Sequence, residues 1–426
     1  MEADHPCLSR KEASGGWGSI TCLAVQISGT VLKTIFKFFS SLKLTVACLA
    51  LGCVLVFWGT WGEVDLGLYK AQTEFFRSFL IYWPLDGSPP HIPIFPGGYL
   101  LGTVLLINLL AAHLRYYRPG TRKIGIVLIH LGVMLLLLGQ FLTDWLSRES
   151  VLHLRIGETK NYTEAERAYE LAVMDTTDPK YDTVVAIPCS VLVRRGTVRQ
   201  AQWPFVMRLK TFYANSELAE NDAPGFTPVG STAGTGTNFW WRSLPRETAM
   251  DRVDLPSATV EILPLDRGGA GGPGDSNAQR PVPARGTFLV SALLSQPQHF
   301  TCGGRTYEMI LRPERFYLPF SLTLLNFRHD KYPGTDIPKN FSSRVRLQNL
   351  NTGEDRQVRI YMNNPLRYEG ETFYQASYDP DDRGSVLQVV HNPSWLTPYF
   401  ACALVAIGLT WQFLSHLIPF LKRRSQ

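Results

Sequence analysis

Apolar and polar positions segregate sharply along this chain. Four runs, residues 44–61, 98–117, 124–145 and 396–420, approach the roughly 20 apolar residues that a bilayer crossing requires. Between the third and fourth lies a long polar stretch, 146–395, in which apolar residues recur at every second position in short runs such as SATVEILPL, GTFLVSALL, TYEMILRP, FSLTLLNF, SSRVRLQNL, RQVRIYM and SVLQVVH. Period two is the mark of a strand with one buried face. Asn351-Thr352-Gly353-Glu354 and Tyr368-Glu369-Gly370-Glu371 fit tight hairpin connections. The pattern predicts a membrane protein with four transmembrane helices and a large β-rich domain inserted between helices 3 and 4. That domain is expected to be a sandwich or an open sheet packed against the bundle.

The remaining segments are weaker in pattern. Residues 1–30 look unstructured; they are too long and mixed for a cleavable signal, and no small-residue cleavage site follows. From Val31 the amphipathic KTIFKFFSSLK predicts either an interfacial helix or the end of a longer first span. Residues 62–97 carry Tyr69, Phe75, Phe76, Tyr82 and Trp83 over helical distances, then five prolines between Pro84 and Gly98. This predicts an aromatic interfacial helix on the outer leaflet, followed by a return to the membrane. Two glycine-rich stretches, around 221–237 and 267–286, read as mobile loops.

Charge orients the spans. Lys33, Lys37 and Lys43 precede the first; Arg115, Arg118, Arg122 and Lys123 fill the link between the second and third; Lys422, Arg423 and Arg424 follow the fourth. All three clusters fall on one side, which the distribution of Lys and Arg identifies as cytoplasmic. Residues 1–43 and 421–426 are therefore expected inside, and 62–97 and 146–395 outside, which makes the β-rich domain extracytoplasmic. These flanks account for much of the net charge of +6, and neither a phosphate-cradling loop nor a basic and aromatic nucleic-acid patch is present. The seven cysteines form no C-x-x-C and no C-x-x-C-H, which excludes an encoded thioredoxin dithiol or covalent c-type haem. Cys189 and Cys302 stand alone in the outer domain, either bridged or as two buried thiols.

Within the third span, KIGIVLIHLGVMLLLLGQFLTDW, a single imidazole, His130, is set into apolar sequence. An ionisable group there is costly and faces protein or ligand. The bland alternative is a histidine that hydrogen-bonds neighbouring helices. Gly125, Gly132 and Gly139 recur every seven residues, a smooth stripe for close helix approach, and His130 lies nearly opposite it at about 100° per residue. His113 sits at the cytoplasmic end of the second span; His130 and, on the fourth, His416 lie roughly 10 Å deep at 1.5 Å per residue. A neutral imidazole is a good axial ligand for haem iron. Met134, one turn after His130, cannot easily take the opposite face of the same macrocycle, so a second ligand must come from another helix. Asn108, Gln140 and Gln412 are the amides within the spans. In the outer domain His153, His299, His329 and His391 are scattered singly and read as surface or loop residues. Trp240-Trp241 reads as a pair packed on a sheet or membrane surface in preference to a ligand platform.

Several stretches together resemble the ResB family, also called CcsB: SLKL, FWGT with GLYKAQTEFFRSF, FPGGYLLG, INLLAAH, KIGIVLIHLG, IGETKNYTE, PFSLTLLNFRHDKYPGT and NNPLRYEGETFYQASYDP. The likeness runs from about Phe36 to the end; Glu63 departs from it, standing where glutamine is expected. The resemblance implies a bacterial plasma-membrane subunit of the system II cytochrome c maturation complex, which moves haem b outward. With a CcsA/ResC-type partner it presents the haem to apocytochrome c, and a thiol-reducing thioredoxin-like protein is a further expected partner. It also implies that His130 is an axial ligand of haem iron, the second ligand coming from the partner; by depth along the spans, and apart from the resemblance, His416 and His113 are in-chain alternatives. By the same likeness the chain is a non-catalytic subunit of a haem lyase complex, and Asn363, Pro365, Tyr368, Gly370, Tyr374 and Gln375 are candidate contacts to partner or substrate. The alternative is a haem-free scaffold whose outer domain holds apocytochrome or the partner. A lipid- or quinone-linked membrane protein is a third, less demanded reading.

Overall fold

The four apolar runs fold as helices α1 (Leu42–Leu66), α2 (Gly98–Tyr116), α3 (Ile124–Leu146) and α4 (Thr397–Arg424). The computed structural model describes residues 31–85, 89–116, 123–250, 252–265, 286–334 and 338–424. Among them these four helices are long and apolar enough to cross a membrane, the architecture of a multi-pass membrane protein. Residues 1–30, the link 117–122 with Arg118 and Arg122, most of the stretch 267–286 and the last two residues lie outside the described segments. Two compact units make up the chain, Met1–Leu142 with Trp395–Gln426, and Thr143–Ser394.

In the helical unit, residues 31–39 form a helix separated from α1 by a break at Ser40 and Ser41, which decides for a distinct amphipathic helix. Asn108 of α2, 1% exposed, holds that break. Its Nδ2 donates to the carbonyls of Phe39 (2.6 Å) and Ser41 (3.1 Å), and its Oδ1 accepts from Thr45 Oγ1 (2.6 Å). Backbone groups freed inside an apolar medium must find such partners. Beyond the predicted span α1 continues to Leu66 and stops at Gly67, whose φ of 79° suits a residue without Cβ.

The segment after α1 differs from the expected interfacial helix. Two short helical pieces, Leu68–Ala71 and Gln72–Phe76, lead into an antiparallel ribbon of β1 (Leu80–Trp83) and β2 (Ile92–Pro96). Proline lacks a donor but is tolerated on edge strands, and both strands of a two-stranded ribbon are edges. Phe75 and Ile81 are fully buried with Leu55, and Trp58 packs edge-on against Phe75 (5.3 Å) and Phe95 (5.8 Å). Phe75 and Phe76 thus belong to a small core on α1, whereas Tyr69, Tyr82 and Trp83 are exposed.

The glycine stripe sets the pairing of α3 with α4. Gly125, Gly132 and Gly139 are the buried residues of α3, lying on Gly408 and Gln412, on Ala401 and Val405, and on Thr397.

The second unit is antiparallel β structure. It begins with β3 (Arg148–Arg155), β4 (Thr159–Asp175), β5 (Thr183–Pro188), a short helix Cys189–Arg195, β6 (Thr197–Arg199), β7 (Phe205–Tyr213), β8 (Ser216–Ala219), β9 (Thr227–Pro228) and β10 (Trp240–Ser243). It continues with β11 (Ser257–Pro264), β12 (Gly286–Ser291), β13 (Gln298–Cys302), β14 (Arg305–Lys331), β15 (Pro338–Asn349), β16 (Glu354–Tyr361), β17 (Leu366–Tyr368), β18 (Glu371–Tyr378) and β19 (Gly384–His391). A ten-stranded sheet runs β16-β15-β14-β4-β3-β19-β18-β17 with β13 and β5 attached, beside a four-stranded sheet β12-β11-β7-β6 and a three-stranded one β8-β10-β9. Every predicted strand run is a strand, and both predicted hairpins form, Glu369 (φ 49°) and Gly370 (φ 80°) making the β17–β18 turn.

β14 is shared between two cores. The register of β14 on β4 shifts at Pro313 and again between Tyr317 and Leu322, around Pro319, because proline cannot donate to the ladder and settles at bulges. Before the shifts Met309 and Leu311 pack with Phe205, Met207, Val260 and Ile262; after them Leu322 and Leu324 pack with Leu347, Phe373 and Leu387. A buried ion pair, Arg312 Nε to Glu170 Oε1 at 3.0 Å, lies at the joint.

The stretch 221–237 is built structure and not the expected mobile loop. It contains β9 and a 3-10 turn, Thr235–Asn238, and Thr235 N–H donates to the side chain of Gln298 at 2.9 Å. Cys189 and Cys302 are buried and not bridged by a disulfide, and burial, reinforced by the charges of Glu170 and Glu314, pushes the Cys189 thiol up to about 12.

Two outcomes follow from this packing. A Cβ at Gly132 would stand 2.6 Å from Val405 Cγ2 and 2.8 Å from the Ala401 carbonyl oxygen, whereas one at Gly102 meets nothing within 4 Å. Gly132→Leu is therefore expected to cost about 1–3 kcal/mol or more by overpacking, seen as a lower unfolding midpoint in detergent, with Gly102→Leu unchanged. Burial, then the charge of Glu170, holds the Glu314 carboxyl above its usual 4.5, with Arg148 partly opposing. The folded state thus keeps this proton longer than the unfolded chain, so its contribution to stability is full below about pH 4.5 and is lost as pH rises through the raised value. Glu314→Gln should be more stable than wild type at pH 7 and lose that advantage at pH 4, in chemical denaturation at both pH values.

Candidate functional site

Two helical faces with the same spacing enclose one cavity. From α2 come Leu109, Ala112, His113 and Tyr116; Lys123 and, from α3, Ile126, Val127 and His130 form the other wall. Each set is i, i+3, i+4, i+7, one face of a helix. The cavity volume is about 170 Å³.

The imidazoles of His113 and His130 meet here, ring centroids 5.8 Å apart and planes at 82°. Counting residues from the charged link places His113 at the interface and His130 deeper, yet the rings lie side by side. Side chains on a helix lean toward its N-terminus. On α2 that direction leads away from the 117–122 link, and on α3 it leads toward it, so the two imidazoles converge. The glycine stripe on α4 leaves His130 facing α2, as its position opposite those glycines requires.

The other sequence candidates fall elsewhere. His416 Nε2 lies 2.8 Å from the side-chain nitrogen of Gln412, four residues earlier on α4, and does not line this cavity. Asn108 serves the helix break described above. Lys123 and Tyr116 were not among the predicted site residues, although their spacing from His130 and His113 was readable as a shared face.

In the β unit the four histidines His153, His299, His329 and His391 sit on strands, not loops, each beside an acid from another strand or connection. His153 Nε2 lies 2.8 Å from Asp379, His299 Nδ1 3.4 Å from Glu308, His329 Nδ1 3.0 Å from Asp382, and His391 Nδ1 3.2 Å from Glu371. His329 departs most from the surface expectation: its side chain is 4% exposed and its ring packs on Tyr378 at 4.4 Å. Glu371 also accepts from Arg148 Nη2 at 3.0 Å, so this buried carboxylate balances two basic groups. Among the described residues no group of three or more His, Cys, Asp and Glu side chains is arranged for a metal ion.

The block 363–375 is divided between internal and outward roles. Tyr368 accepts from Asn349 Nδ2 (3.1 Å) and donates to Glu354 (2.8 Å); that hydroxyl, helped by Arg356, holds the Glu354 carboxyl below the usual range. Gln375 accepts from Ser343 Oγ (2.6 Å) and donates to the Ser377 carbonyl (3.0 Å). Gly370 closes a hairpin, Pro365 is half-buried, and Asn363 (φ 62°) and Tyr374 are exposed. Trp241 is buried against Tyr213 at 4.6 Å, in keeping with a packing role.

Protein NrfI of Wolinella succinogenes is 26% identical over 317 residues, 74% of this chain and 30% of NrfI. Cytochrome c biogenesis protein CcsB of Prochlorococcus marinus is 34% identical over 83 residues, 18% of this chain and 19% of CcsB. The match thus spans less than a third of the length of either relative. The profile of the ResB-like family covers residues 117–386, well over half of the sequence and including both α3 with His130 and most of the β unit, and the chain belongs to the ResB-like family.

Proposed function

We propose that this chain is a haem-exporting subunit of a system II cytochrome c maturation complex in the bacterial plasma membrane. The observation that carries the reading is the pair of imidazoles, His113 and His130, 5.8 Å apart between the apolar side chains of Leu109, Ala112, Ile126 and Val127. The name of the CcsB relative adds to it. On this reading both termini are cytoplasmic and the β unit lies outside.

The residues present fit haem as cargo. Imidazole nitrogen is a good donor to haem iron, and Leu109, Ala112, Ile126 and Val127 suit the apolar face of a macrocycle. The cavity of about 170 Å³ is smaller than the roughly 300 Å³ from which pockets enclose a drug-sized molecule. This chain therefore supplies one wall, and a CcsA/ResC-type membrane protein supplies the rest, including the opposing ligand. His130 is the assigned axial ligand; within the chain the neighbouring imidazole is His113, which displaces His416 from that role. Iron, when bound, supplies the Lewis-acid centre that the imidazole holds. The β unit, with exposed Asn363 and Tyr374, receives apocytochrome c and any thioredoxin-like thiol reductant serving it, and the chain is not a catalyst alone.

The haem-free scaffold reading draws on that same exposed surface. The two are separated by the visible spectrum of the purified complex. His130→Ala is expected to reduce bound haem to below about a tenth of wild type, and cytochrome c maturation with it, while His416→Ala leaves both unchanged. An unaltered spectrum in His130→Ala would favour the scaffold. In that case Tyr374→Ala should weaken co-purification with apocytochrome c while leaving haem content alone.

A further inference from the structure

The polar groups of the cavity are sorted along its length. His113 and His130 lie at one level, while Tyr116 and Lys123 stand further toward the ends of their helices, one turn beyond His113 and two turns before His130, or about 5 and 10 Å at 1.5 Å per residue. No carboxylate is among the eight residues that line the cavity. The nearby cation Arg115 is engaged, with its Nη1 donating to Ser40 Oγ at 2.7 Å and its guanidinium lying 5.1 Å from the Tyr116 ring centroid. Among the described residues that line the cavity Lys123 is the cation, and a lysine stem buries along apolar surface while its ammonium reaches the mouth.

We infer that Lys123, assisted by the Tyr116 hydroxyl, binds the acidic edge of an iron porphyrin and so fixes which edge points to the mouth. This rests on the haem reading above. Iron protoporphyrin carries both propionates on one edge, with an apolar body and a metal that seeks imidazole. The cavity offers the complementary order: imidazoles within, apolar walls beside them, and an ammonium and a phenol at the opening. Charge-assisted hydrogen bonds to a carboxylate are about twice as strong as neutral ones, so this end confers orientation and selectivity where apolar contact confers neither. The competing account makes Lys123 an ordinary membrane-flanking cation, indifferent to the cargo's carboxylates.

The test compares iron(III) protoporphyrin IX with its dimethyl ester, titrated by absorbance into the purified, haem-stripped complex of this chain with its membrane partner in detergent. Wild type is expected to bind the free acid about tenfold more tightly, the equivalent of one such bond. Lys123→Gln should lose most of that preference, Lys123→Arg should keep it, and all three should bind the ester alike. Equal affinities in wild type, or an intact preference in Lys123→Gln, would overturn this assignment while leaving haem as cargo. Failure of wild type to bind either porphyrin would overturn the haem reading itself.

Discussion

A helix can offer its smoothest face to only one neighbour, and the helical unit depends on how α3 spends that face. Its three buried residues are glycines, lying directly on the backbone and small side chains of α4. Apolar side chains gain little from one another where lipid is equally apolar, so close backbone approach is what binds such helices. Once α4 occupies the glycine side, His130 has no choice but the opposite side, where α2 stands with His113.

A similar economy governs the break before α1. Interrupting a helix next to an apolar medium exposes carbonyls, and one buried amide, Asn108, satisfies two of them while accepting from Thr45. That amide is spent on the backbone. The β unit shows the same preference for polar groups used internally. Tyr368 and Gln375, though part of the most distinctive block of the sequence, are tied to Glu354 and Ser343, leaving Asn363 and Tyr374 to face outward.

The β unit is organised by length. A 27-residue strand cannot stay flat against one core, and the two prolines of β14 are placed where it changes register. Each segment then buries its apolar side against a different set of strands. The Arg312–Glu170 pair is costly to bury unless matched, and it is matched within the ladder itself. Cys189, close to the same acids, remains a protonated thiol.

Much of this was legible in advance. Run lengths identified the four spans, period two identified the strands, and the turn residues identified both hairpins, because each is a local consequence of side-chain geometry. The heptad of glycines gave His130 a direction. What local pattern does not contain is the partner. Aromatics near residue 75 suit a bilayer surface or a small core equally well, and only the presence of Leu55 and Trp58 beside them decided for a core. The glycine-rich stretch near 230 is low in complexity yet ordered, because Gln298, more than 60 residues away, satisfies its backbone. His329 lacked any signal of burial because its acid, Asp382, comes from another strand connection. By itself the sequence determined which segments are long and apolar enough to cross a membrane, which short runs are strands, and that one imidazole is set in an apolar helix. The tertiary structure alone decided that this imidazole meets His113, since opposite chain directions make the two side chains lean toward each other across a distance that residue counting assigns to different depths.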